Sequence, residues 1–532
     1  MNLKASFARI STTPMAISTS WGWLVPVVLF SLVFIMAARS PVDSDLWWHL
    51  RAGEETWKTS RPLLVDSFSY TRAGTGWINH SWLSQVGLYL LYASGGYLAL
   101  SVAISSLAML SLILVYAQME APPLLRAFVI VLAGVVAAPV WSARPQLISL
   151  LLFALVAYLL FLFKRRQIDH LWLIAPVFIL WSNLHGGYVL GLLLIASMIG
   201  GELFNHLLGR QGAEILAWKG IARLGFWLVV AGLVTAINPN GAAMWLIPFK
   251  TVTVGALQSF ISEWSSPDFH QLAQQPFLWM LFLTLAAASL STEKLDGSDL
   301  ISVVGFAYLG FMARRNFGPF ALVAAPVLAR HLCALLLEHQ TRWKGLGEQW
   351  RLQKTSPPPV HSVLNLALAA VMIMAAMTKA YVVSQPSVVE KYNQAVFPVQ
   401  AVSWIESNQP AGNLFNDYNW GGYLVWRLRD VPVFVDGRTD LYDDELLADY
   451  LHTLAGEDGW DETLDEFGVG TVLIPNGSGL DRALAQAVGW SREYADELAV
   501  IYVRDGSAAG GMQELGAQGV EMEPPVAWLT EK

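Results

Sequence analysis

Apolar runs recur along most of this chain, and each is long enough, or nearly so, to cross a hydrocarbon core about 30 Å thick. They cover 22–38, 97–117, 123–140, 146–163, 171–184, 188–204, 224–238, 275–291, 299–313, 317–337 and 362–382. Backbone N–H and C=O groups inside a bilayer find no water, so such runs satisfy them internally as helices. Charged residues are 14% of the chain, against about 25% in soluble domains. The expectation is an α-helical polytopic membrane bundle of about 11 transmembrane helices, with the lipid bilayer as its first partner.

Charge divides the chain. Residues 384–532 hold 25 Asp and Glu against 8 Lys and Arg, and the remainder carries a net charge of +9. The change predicts two domains: a transmembrane domain over 1–383, with a first outer loop at 39–96, and an acidic soluble α/β domain over 384–532. In the latter, Val433–Asp436, Val469–Ile474 and Leu498–Val503 have strand composition, and Leu446–Leu454, Trp460–Phe467 and Leu480–Val488 are helical between them. Residues 506–532 are a loose tail. The acidity excludes nucleic acid as a partner. The single cysteine, Cys333, allows no internal disulfide, which fits a bacterial inner membrane protein with a periplasmic domain.

The positive-inside rule orients the spans. Lys4, Arg9, Arg126, Lys164–Arg166, Arg210, Lys219, Arg223, Lys294, Arg342, Lys344, Arg351 and Lys354 fall on one side when the N-terminus is cytoplasmic. The acidic domain is then external. So are Asp43, Asp45, His49, Arg51, Asp66 and His80 of the first loop, Arg144, His185, and the Arg314-Arg315-Asn316 turn. The last of these places cations on the side the rule avoids, which suggests an anion site.

Within the first loop, Asp45–Lys58 reads as an amphipathic helix with Leu46, Trp47, Leu50 and Trp57 on its apolar side. Ser67–Gly76 reads as a turn or short hairpin, and Ser81–Tyr92 as a second surface helix leading through Gly95-Gly96 into the next span. Asp43 and Asp45 lie just past the first span. A carboxylate placed there can take a proton from an acceptor hydroxyl, or the pair can hold a divalent cation such as Mg or Mn. The bland alternative is that Asp45 or Ser44 caps the following helix. Arg144, Arg314 and Arg315 suit a phosphate, since guanidinium binds its oxygens bidentately. Arg144 before Pro145 can also serve only to anchor a turn. His185 in Asn183-Leu-His-Gly-Gly is either a local hydrogen bonder or a functional group. In the acidic domain, Tyr418, Trp420, Asp436 and Arg438 have the aromatic and polar composition of a carbohydrate site, or belong to a structural core.

The run Asp43-x-Asp45-x-Trp47-Trp48-His49-Leu50-Arg51-x-Gly53, followed by Pro62-x3-Asp66-x-Phe68-Ser69-Tyr70-Thr71 and Trp77-x-Asn79-His80-x-Trp82-Leu83, resembles the C-fold (GT-C) glycosyltransferases. It is similar to a bacterial branch near the protein O-mannosyltransferases, the lipid A aminoarabinose transferases and the lipopolysaccharide-core transferases. The resemblance implies inverting transfer of a sugar from a polyprenyl-phosphate donor to a glycan, lipid or protein acceptor outside the cytoplasm. Asp43 or Asp45 would be the base, with Asp66 and His80 near the second surface helix. The mannosyltransferases' acidic-His-Pro pattern is absent at Asn79-His80-Ser81. Two other readings remain. One is a lipid-linked glycan flippase, which would need polar residues through the membrane depth. The other is a non-catalytic envelope assembly factor presenting the acidic domain.

Overall fold

The computed structural model describes residues 22–212, 214–249, 263–339 and 359–506. The chain forms two compact units. The first comprises 1–67, 72–396 and 437–448; the second comprises 68–71, 397–436 and 449–532. Short pieces thus leave each stretch of sequence and pack with the other.

In the first unit, α1 (Leu24–Ala37), α2 (Leu46–Thr59), α3 (Trp82–Ala117), α4 (Pro123–Ala137) and α5 (Gln146–Arg165) come first. They are followed by α6 (Ile174–Leu184), α7 (Tyr188–Leu207), α8 (Trp218–Val234), α9 (Gln275–Leu290) and α10 (Gly297–Met312). Then come α11 (Phe317–His339), α12 (Pro359–Val383) and α13 (Pro386–Val396). Six helical segments among the described residues are long and apolar enough to cross a membrane: Trp82–Ala117, Pro123–Val140, Gln146–Arg165, Tyr188–Leu207, Arg314–His339 and Ser362–Val383. Four shorter apolar helices accompany them: Leu24–Ala37, Leu171–Leu184, Gln275–Leu290 and Gly297–Met312. The molecule is a multi-pass membrane protein. Helix α2 packs on α3, α3 on α5, α7 on α10, α4 and α9 on α11, and α1 on α3 and α12.

The first loop follows the expected course, with one change. Leu46, Trp47 and Leu50 of α2 are buried, whereas Trp57 is 56% exposed. Gly53 lets α2 approach α3, because a Cβ there would collide with the Gln85 backbone. Val65 bridges Gly76, and Asp66 N–H donates to the Thr75 carbonyl, closing the short hairpin. The second surface helix and the following span form one helical run, α3. It is broken at Gly96, whose φ of 58° and ψ of −147° lie where only glycine is at ease.

The far end of α5 departs from a simple topological reading. Lys164 is not a solvated charge. It is buried, and donates to Glu202, to Asp296 (2.6 Å) and to Ser298 (2.5 Å). Arg165 and Arg330 converge on Asp299 beside it. Burying a charge in a membrane bundle requires such partners.

In the second unit, α14 (Val399–Asn408) leads to β1 (Asn413–Asn416) and α15 (Tyr418–Arg427). After α16 (Asp444–Ala455), which starts in the first unit, come α17 (Trp460–Glu466), β2 (Val469–Pro475), α18 (Gly479–Leu484), β3 (Trp490–Ala495) and β4 (Ala499–Arg504). The sheet order is β1-β2-β4-β3, with β1 parallel to β2 and the other pairs antiparallel. Val433–Asp436, read as a strand from its composition, is not one. Val433 makes a single parallel bridge to Ser69, and the rest of the run is buried without joining the ladder. Two strands, β1 and β3, have no alternating signature and went unseen. The tail beyond Gly506 lies outside the described residues.

Candidate functional site

The site grows from the end of α1. Past Ala37 the chain turns, and the Asp43 carboxylate accepts from the Asp45 backbone N–H at 2.9 Å. Asp45 occupies the N-cap position of α2 but makes no side-chain cap bond. Its carboxylate points elsewhere: Oδ1 accepts from the Trp48 indole at 3.2 Å, and Oδ2 lies 3.1 Å from Arg144. The capping explanation for Asp45 is thereby set aside.

Arg144 sits in the turn before α5 and is the hub. Its Nε donates to Asp43 at 2.5 Å and its NH1 to Glu263 at 3.0 Å, besides the Asp45 contact. Burial alone would lower its pKa, but Asp45, Asp43 and Glu263 outweigh burial and raise it. Far from anchoring only its own turn, Arg144 holds three carboxylates from distant parts of the chain. Asp45 responds differently. Burial pushes its pKa up, Arg144 pulls it back, Asp43 pushes it further, and the balance is about 6. Both acids thus touch Arg144, Asp43 through Nε and Asp45 through the NH1 nitrogen.

Arg315, in the turn before α11, belongs to the same cluster. Its guanidinium stacks over Trp264 at 4.0 Å, and its backbone N–H donates to the Glu263 carbonyl. Arg314 N–H meets the Ser265 carbonyl instead, and Asn316 turns its amide to the Leu309 carbonyl, so it works as a local cap.

Three histidines line the neighbouring wall. The rings of His80 and His185 meet edge to face at 5.6 Å. His185 Nδ1 accepts from Gly187 N–H at 3.1 Å and contacts Ser149 Oγ at 2.8 Å, which places the ring proton on Nε2. His49 stacks against Trp48 at 3.6 Å, and its Nδ1 is buried with no hydrogen-bond partner among the described residues. Burial lowers the pKa of all three, helped by Arg144 at His49 and by Arg315 at His80 and His185. They are neutral rings. Among the described residues, no group of three or more His, Cys, Asp or Glu is gathered as a metal would need. Arg144 lies between the Asp43 and Asp45 carboxylates.

The other expected residues fall into different roles. Arg51 pairs along its own helix with Glu54 and Glu55. Asp66 and Arg438 form a mutual ion pair at 2.5 Å, both side chains fully buried, with the guanidinium 5.1 Å from the Trp77 ring. Tyr418, Trp420 and Asp436 are buried in the second unit. There Asp417 caps α15, the Tyr418 backbone N–H donates to the Tyr450 hydroxyl, and Gly421 packs on the Val435 carbonyl, so the motif closes a strand onto a helix. Glu263, Trp48, Trp77 and Asp440 are not among the candidate site residues read from sequence, although Trp48 and Trp77 lie in the motif that carries the resemblance.

No protein-family model and no curated protein matches the sequence. Solved structures do. ArnT from Cupriavidus metallidurans in the apo state aligns over 92% of this chain and 99% of its own, at 14% identity and a TM-score of 0.50. The same protein bound to undecaprenyl phosphate aligns at 12% identity and 0.48 over the same shares. The arabinofuranosyltransferase AftD from Mycobacteria aligns over 92% of this chain at 15% identity and 0.46. This chain spans 40% of the length of AftD. At these identities the alignment with apo ArnT speaks to architecture. The chain shares the fold of apo ArnT.

Proposed function

We propose that this protein transfers a sugar from a polyprenyl-phosphate carrier to an acceptor hydroxyl, with inversion, on the non-cytoplasmic face where the charge rule puts the 39–96 loop. The observation that carries this reading is Asp45. It is a buried carboxylate poised at about 6, 3.1 Å from the Arg144 guanidinium. A general base works best with a pKa near the operating pH.

In this reading the Asp45 carboxylate takes the hydroxyl proton as the acceptor oxygen bonds to the anomeric carbon. The bond from that carbon to the phosphate oxygen breaks, and polyprenyl phosphate leaves with the bonding pair. Arg315 meets the departing phosphate, since it is held from the ring side by Trp264 and keeps guanidinium edges for oxygen. Asp43 is bonded to Arg144 and to backbone, so its task is to hold Arg144 in place. The ring nitrogens of His49, His80 and His185 suit sugar hydroxyls.

The test is transfer by purified protein from a panel of radiolabelled polyprenyl-phosphate sugars. Wild type should transfer from at least one donor, and Asp45→Asn should lose about 10²-fold or more, the range for a general base. An Asp45→Asn protein with full turnover removes the base assignment.

A further inference from the structure

One wall of the acid site arrives very late in the chain. The 437–440 turn belongs to the first unit by its packing, although 372 residues separate Arg438 from its partner Asp66. Gly437 lies directly on the Asp45 carboxylate. A Cβ at this position would overlap Asp45 Oδ1 and come within 3.0 Å of the Trp48 indole nitrogen. The glycine is required here by close approach. Three residues on, the Asp440 carboxylate accepts from the Trp77 indole at 3.3 Å and is the anion that acts on His80. The Trp48 and Trp77 rings meet at 5.9 Å, so one turn braces both aromatic supports of the site. The buried Arg438–Asp66 pair and the Arg72–Asp443 pair at 2.5 Å pin the turn from either side.

We propose that the Gly437–Asp440 turn is a wall of the acid site, in which Gly437 and Asp440 are positioning residues for the Asp45 carboxylate and the His80 ring. The proposal rests on the transferase reading given above. Catalytic groups must be held to fractions of an ångström, and a displacement of about 1 Å can cost about 10²-fold in rate. Gly437 sets the distance by having no side chain. Asp440 sets the charge beside a ring that Arg315 otherwise makes more electropositive.

The experiment pairs hydrogen–deuterium exchange with transfer, in full-length protein in lipid nanodiscs. Gly437→Ala should exchange about tenfold faster across residues 43–51 and lose about 10²-fold in transfer, with its melting temperature near wild type. Asp440→Ala should exchange faster across 77–85 and transfer at least about threefold more slowly. Asp443→Asn removes only the exposed pair with Arg72, worth little beside the buried Arg438–Asp66 pair, and should match wild type in both. Wild-type exchange at 43–51 in a folded Gly437→Ala protein overturns the proposal. Should that variant not fold, Asp440→Ala decides it, and unchanged exchange at 77–85 overturns it. If wild type transfers from no donor, the transferase reading fails, while the exchange data still decide the wall.

Discussion

The two acids after α1 are equivalent on paper and unlike in place. Asp43 is spent on Arg144 Nε and a backbone N–H, whereas Asp45 shares Arg144 with Glu263 and keeps a pKa of about 6. The pH dependence has a definite sign. Transfer that needs Asp45 as a carboxylate rises as pH passes through about 6 and levels off above it. Arg144 is what lowers Asp45, while Asp43 and Glu263 raise it. Arg144→Met therefore moves the acid limb to higher pH, and a pH–rate profile of the variant checks the direction. A limb that stays or moves down would contradict the assignment. Sequence pointed to Asp43, Asp45, Arg144, His49, His80, His185 and Arg315, since each is a polar group beside an apolar run, which needs a reason to be there. It could not pair them. Whether Arg144 meets a phosphate or three carboxylates depends on contacts 101 and 119 residues apart, and no local spacing encodes those.

Elements with a local cause were legible. Helices α2 and α3 follow from their apolar periodicity, and the 67–76 hairpin from its Gly and Ser content. The break in α3 falls at one of the two glycines that suggested it. At Gly96, φ is 58° and ψ is −147°, so Gly96→Ala should cost about 1–3 kcal/mol and re-aim the 82–95 stretch. Thermal unfolding in detergent measures the cost. Strand β1 is four residues long and β3 alternates poorly in burial, so neither carries a signal that periodicity can read. The Asp66–Arg438 pair was equally invisible, because both residues looked like ligand contacts. Removing one member of a buried ion pair typically costs about 3–5 kcal/mol. Arg438→Met should therefore unfold the hairpin region early, and Asp66→Asn in the same chain should recover part of the loss. A double-mutant cycle from melting curves tests the coupling, and simple additivity would sink it.

At the scale of the molecule, polar groups gather at both ends of α5: Arg144 with three acids before its first turn, Lys164 with Glu202 and Asp296 in its last. The second cluster ties α5, α7 and the start of α10 together. Lys164→Met would leave Glu202 and Asp296 facing each other in the bundle, and should lower the melting temperature sharply while the acid site keeps its exchange protection. Full retention of stability would show that the acids find another cation. Lys164, one of the basic residues that orient the spans in the sequence reading, is also an internal tie to Glu202, Asp296 and Ser298. The composition break near residue 384 says nothing about the exchange of segments 68–71 and 437–448 between units, because that exchange is a matter of tertiary path.

That path has a temporal side. The Asp66 carboxylate leaves the ribosome 372 residues ahead of its ion-pair partner Arg438. At synthesis rates of about 5–20 residues per second, the hairpin waits roughly 20–75 seconds for it. An anion is costly to bury without a partner, so the burial of this ion pair is completed only after residue 438 has been made.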